Sequence, residues 1–150
     1  MADENGCARP VALQPEYNLV HRGDVETGGL GAVAEEFGLA VMPYFSLAAG
    51  FLTGKYARDE AIRGARSAHV KPYLTDAGFN VVDAVVDVAD KVGTEPAAVA
   101  LAWLRAQPCV TAPIASASTP EQVETLLAGM KLKLTKPQVA KLTKASDAFA

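Results

Sequence analysis

Chemistry in this chain concentrates at two junctions where an apolar segment gives way to small residues. Val41-Met-Pro-Tyr-Phe-Ser-Leu-Ala-Ala-Gly-Phe-Leu-Thr-Gly-Lys-Tyr56 runs from a buried strand into a small-residue turn and a Gly-Lys-Tyr loop. Val110-Thr-Ala-Pro-Ile-Ala-Ser-Ala-Ser-Thr-Pro-Glu-Gln122 repeats the form: apolar strand, small polar turn, helix start. Small residues after a strand let a ligand approach the backbone, and a helix N-terminus favours an anion. Two such junctions point to one face of a barrel carrying a phosphate-bearing cofactor. No acid–base constellation accompanies them. His21 and His69 have no carboxylate at a telling spacing and are expected on the ordinary surface. Asp83, Asp87 and Asp90 share one side of a helix, the pattern of a solvated face rather than a metal site.

The elements that must position these junctions follow from periodicity. Val11 to Val20 reads as a short strand and loop, with Pro15 limiting the ladder. Leu30, Val33, Ala34 and Phe37 predict a helix over Glu26 to Phe37, weakened at its start by Gly28, Gly29 and Gly31 and closed by Gly38. Leu39 to Tyr44 is an apolar strand, and Ala48 to Asp76 a long loop flecked with basic residues. A helix from Ala77 to Val92 places Phe79, Val82, Val86 and Ala89 on one face. Thr94 and Pro96 start the next, which carries Val99, Ala102, Trp103 and Ala106. Cys109 to Ile114 is a third strand. Thr119 and Pro120 open a helix with Val123, Leu126, Leu127 and Met130 on its apolar face. Thr135 and Gln138 form a capping box before the last helix. Strand and helix alternate, which implies a parallel sheet.

The chain has 150 residues, enough for one domain with a real core. Half of them are hydrophobic, an excess that leaves apolar surface to be covered. A net charge of −3 and a pI near 5.4 argue against a nucleic-acid partner. Cys7 and Cys109 make neither a disulfide framework nor a metal cluster, which fits a reducing cytoplasm. The polar N-terminus does not read as a signal peptide. No apolar run reaches the roughly 18 residues that span a membrane.

Three motifs in order resemble the C-terminal part of an aldo-keto reductase, an NADP-dependent (β/α)8 barrel. Leu13-Gln-Pro-Glu-Tyr-Asn-Leu19 is similar to that family's sixth-strand motif, Gly38 to Tyr56 to its seventh strand and cofactor loop, and Ala112 to Val123 to its eighth strand and adenine-side loop. The resemblance runs from about Val11 to the C-terminus. It implies a partial TIM-type barrel: the last three β/α units plus a C-terminal helix, in a single domain over 1–150. It also implies roles for residues in binding NADP(H). Gln14 would hydrogen-bond the nicotinamide carboxamide and Tyr44 stack on its ring. Phe45, Ser46, Leu47, Ala49 and Gly50 would line the pyrophosphate, and Lys55 would face a phosphate. Arg63 or Arg66 would sit near the 2′-phosphate, and Ser116, Ser118 and Gln122 would hold the adenosine end.

The chain departs from the family at Ser118, where relatives often have Arg, and at Leu126, where many have Asn. It also reads Phe45-Ser46-Leu47 where Ser-Pro-Leu is usual. The first two departures bear on a preference for NADP over NAD. The family's catalytic Asp, Tyr, Lys and His come from its first five strands, and nothing here matches them. The resemblance therefore implies hydride transfer from NADPH to a small carbonyl substrate only in a complete barrel. The alternative is a catalytically inactive fragment that binds nucleotide weakly or self-associates through exposed strand edges.

Overall fold

The computed structural model describes residues 5–58 and 67–150. Its organising feature is a small open parallel sheet. Strand β1 (Ala12–Leu13) pairs with β2 (Ala40–Val41), Ala12 opposite Ala40 and Leu13 opposite Val41. The evenly spaced bonds of a parallel ladder continue beyond both strands. Ala40, Met42 and Tyr44 donate their N–H groups to the carbonyls of Val11, Leu13 and Pro15 at 2.9–3.0 Å. The predicted strands are longer than those found, because Pro15 and Pro43 have no N–H to give. The third predicted strand reduces to one parallel bridge, Val41 with Val110, and to Ile114 donating to the Pro43 carbonyl.

The helix expected over Glu26 to Phe37 is broken in two: α1 (Gly23–Glu26) and α2 (Leu30–Phe37). Gly29 sits between them at φ +84°, a conformation that ends one helix and starts another. The expected long loop has structure of its own. It contains a 3-10 turn at Ala48–Thr53, α3 (Ser67–Val70) and a second 3-10 turn at Lys71–Tyr73. Arg63 and Arg66 lie outside the described residues.

Helix α4 (Asp76–Val92) is capped by the Thr75 hydroxyl and closed by Gly93. It buries Phe79, Val81, Val82, Val85, Val88 and Ala89, a wider face than predicted, and Val86 is only half-buried. The width has a cause: α4 packs on α5 (Pro96–Arg105), on α7 (Lys136–Ala145) and on the first 3-10 turn. Glu95, not Thr94, holds the N-cap position of α5, with no side-chain bond to the helix; the Thr94 N–H instead closes the end of α4 on the Ala89 carbonyl. Trp103 of α5 is wholly buried, 5.8 Å from the Tyr17 ring, and its indole N–H donates to Thr143 Oγ1 at 2.9 Å. The capping box at Thr135 and Gln138 is present.

Helix α6 (Pro120–Lys131) starts at Thr119 as expected, but its apolar side does not face inward. It lies on α5 through Gly129, which meets Ala98 and Leu101. Val123, Leu127 and Met130 stay exposed, as do Leu30, Val33 and Phe37 of α2. No helix among the described residues is long and apolar enough to cross a membrane.

One close approach sets up a test. A Cβ added at Gly78, in the first turn of α4, would fall 2.0 Å from the Tyr73 carbonyl oxygen. Gly78→Ala is expected to cost about 1–3 kcal/mol of stability. The check is a lower urea midpoint at unchanged slope.

Candidate functional site

The two sequence junctions meet. The end of β2 and its 3-10 turn form one wall of a cavity of about 650 Å³, and the segment entering α6 forms another. Tyr44, Phe45, Ser46, Leu47, Ala49, Gly50 and Lys55 line it from the first junction. Ser116 and Gln122 line it from the second. Two expected residues do not. Gln14 is exposed just after β1, outside the cavity lining. Ser118 lies outside the lining; its N–H donates to Gln122 Oε1 at 2.8 Å.

The turn after Tyr44 has unusual backbone. Phe45, Ala48 and Ala49 have φ of 52°, 49° and 55°, and they are the positive-φ non-glycine residues among those described. Gly50 follows at φ +94°. Left-handed conformations at ordinary residues cost of order 1–3 kcal/mol each and collect at ligand clamps. Neighbours hold the turn in place. The buried Asn18 amide donates to the Phe45 carbonyl at 3.1 Å. The Ser46 hydroxyl lies 2.8 Å from the Ile114 carbonyl and 3.2 Å from that of Pro43, so it ties the two junctions together. Asn18 was not singled out in the sequence; a polar residue amid Tyr17, Leu19 and Val20 was the available signal.

Lys55 folds back over this turn. A Cβ at Gly50 would come 3.2 Å from its Nζ, and the ammonium sits 5.0 Å from the Tyr56 ring centre. It pairs with no carboxylate among the described residues. A cation not ion-paired among the described residues, beside backbone bare of side chain, suits a phosphate. The residues present fit a phosphate-bearing group.

Residues 1–147 match the family model for the aldo/keto reductase family. The chain belongs to the aldo/keto reductase family. Protein tas of Escherichia coli (strain K12) is 32% identical over 145 residues, covering 95% of this chain and 41% of that protein. Aldo-keto reductase dtxS3 of Metarhizium robertsii is 29% identical over 142 residues, 92% of this chain and 37% of that one. L-glyceraldehyde 3-phosphate reductase of Escherichia coli O157:H7 is 33% identical over 118 residues, 74% of this chain and 34% of that protein. This aldo/keto reductase chain thus spans about two-fifths or less of the length of these curated relatives.

Other groups in the chain depart from expectation. His21 does meet carboxylates: its Nε2 is 3.2 Å from Asp24 and its Nδ1 3.9 Å from Glu16. Glu16 also accepts the Tyr73 hydroxyl at 2.9 Å and lies 3.5 Å from that of Tyr44. Burial, then the Glu16 carboxylate, push the Tyr73 phenol up. Asp87 takes Lys141 and Lys91, which hold its carboxyl below the usual range. Asp83 takes Arg58. Arg22, also not singled out, is buried. It meets Glu26 bidentately at 2.7 and 2.8 Å and donates to the Thr143 carbonyl and Ser146 hydroxyl at 2.9 and 2.8 Å. The Arg22 guanidinium holds the Glu26 carboxyl low. An Arg–Glu pair four residues apart was the legible signal.

Proposed function

We propose that this chain is the cofactor-holding part of an aldo/keto reductase-type oxidoreductase. In this reading its open sheet and helices are the last three β/α units of a (β/α)8 barrel with a C-terminal helix, in one domain over 1–150. The cavity takes a nicotinamide adenine dinucleotide, NADP(H) by family habit. The carrying observation is that both strand-end junctions line one cavity that also holds Lys55. Such a nucleotide supplies hydride for reduction of a carbonyl compound.

The chain's own residues bind and orient. Tyr44, half-exposed where its strand ends, offers a flat face for a ring. Lys55 opposes phosphate charge, and the turn through Gly50 lets backbone come close. Ser116 and the Gln122 side chain offer polar groups at the adenosine end. Gln14, on the neighbouring strand, would take the carboxamide. No proton-transfer residue of this chain is assigned. The test is a fluorescence titration of the purified chain with NADPH, with circular dichroism on the same sample. Saturable binding by a folded species is expected; a folded chain that leaves NADPH emission unchanged would refute the reading.

A second reading is favoured by the outer apolar faces: Val11 is 79% exposed, Phe37 64% and Leu127 52%. Unpaired parallel edges beside apolar helix faces template further strands. If the chain acts alone in this way, sizing at micromolar concentration is expected to give a discrete oligomer. A monomer at every concentration would rule that out.

A further inference from the structure

We infer that His69 joins Lys55 as a second cation of the cavity, so that a phosphate-bearing ligand is held more tightly once the imidazole is protonated. The identity of that ligand rests on the proposed function; the anion site itself does not. His69 and Lys55 line the same cavity from different segments, α3 and the loop after the strained turn. The His69 ring packs on Phe45, centroids 5.8 Å apart and planes 32° from parallel. Phe45 is in turn fixed by its left-handed backbone and by the Asn18 bond to its carbonyl. The imidazole is therefore placed, yet its nitrogens make no hydrogen bond or ion pair among the described residues. When protonated, both nitrogens are donors.

The surrounding charges make this proton decisive. Among the described residues, Glu95 is the acid of the cavity lining and Lys55 its other cation. With His69 neutral the two cancel; with His69 protonated one positive charge is in excess. Lys71 and Tyr73 follow on the next turn, and Tyr44 stands beside Phe45. The 3-10 turn Ala48–Thr53, which packs on α3, brings no titratable group. Imidazole changes charge between about pH 5 and 8. An anion bound beside it must raise its titration midpoint by the same factor by which its protonation tightens the anion.

The test follows the imidazole NMR signals of the two histidines against pH, in chloride and then in sulfate at matched ionic strength. His21→Gln assigns them. Sulfate is expected to raise the His69 midpoint by about half to one pH unit, a roughly three- to tenfold tighter hold on the protonated form. His21 is expected not to move, and Lys55→Gln to shrink the effect at His69. Equal movement of both histidines, or of neither, overturns the inference. NAD is then titrated across the same pH range, because its phosphodiesters keep constant charge. Affinity that rises as pH falls in the natural chain, and is flat in His69→Gln, supports the inference. Flat NAD affinity in the natural chain, with no sulfate effect, overturns it and leaves the proposed function standing. A sulfate effect with no dinucleotide binding at any pH does the reverse.

Discussion

Arg22→Met is expected to lower the stability of the chain by about 3–5 kcal/mol, the usual cost of removing one member of a buried ion pair. The residue is 4% exposed, and its five donors are largely spent on fixed partners. Methionine keeps the stem's volume but leaves the Glu26 carboxylate without its cation and takes one donor from the Ser146 hydroxyl and one from the Thr143 carbonyl, which keeps its bond from Ser146. Tyr17 still donates to Glu26 at 2.8 Å, so the carboxylate is not wholly abandoned. Urea unfolding followed by circular dichroism measures the loss. The double variant Arg22→Met with Glu26→Leu is expected to recover part of it, because no buried charge remains. The pair also has a pH signature. Glu26 titrates below its ordinary value in the fold. Its contribution is therefore present above the unfolded carboxylate range and lost as pH falls through the lower folded value. Arg22→Met removes that acid-side loss, and a stability profile of unchanged slope would contradict the pairing.

Lys55→Gln is expected to weaken NADPH binding roughly ten- to a hundredfold, the worth of a charge-assisted contact to phosphate. Its effect on stability is expected to be small, because Lys55 is exposed and pairs with no carboxylate among the described residues. Affinity lost at an unchanged melting temperature separates binding from folding. The loss is also expected to shrink as salt rises in the natural chain, since exposed charges are screened. Equal affinity in the two proteins would remove Lys55 from the site.

Much of this was legible because the relevant signals are local. The caps at Thr119 and Thr135 and the terminating glycines Gly38 and Gly93 act within one turn, and the chain writes them in sequence. The two junctions were legible because small residues after an apolar run have few other uses. What stayed hidden depends on distant partners. The apolar side of α6 looked like a core face by period alone, yet Gly129 turns another side of it toward α5. Period gives an amphipathic stripe, not its neighbour. His21 is different: its nearer partner, Asp24, is only three residues on, and Glu16 comes within 3.9 Å through the turn that folds the chain back on itself. Gln14 stands exposed beside the open sheet and outside the cavity lining, which its place after an apolar pair does not reveal. No propensity foretold the left-handed backbone at Phe45, Ala48 and Ala49, since of the positive-φ residues in this turn only Gly50 favours it.

Arg22 also sets an order of events for the newly made chain. Its bond to Thr143 closes a separation of 121 residues and that to Ser146 one of 124. Its own N–H donates to the Phe149 carbonyl at 2.8 Å. Contacts that far apart form late, because loop entropy opposes them until other structure has shortened the path. During synthesis from the N-terminus, the guanidinium emerges long before the helix that satisfies it. The first half can gather around Tyr17 and Leu19, but its buried cation stays half-paired until the last turn of α7 arrives. The buried guanidinium thus reaches its full set of partners only once α7 is in place.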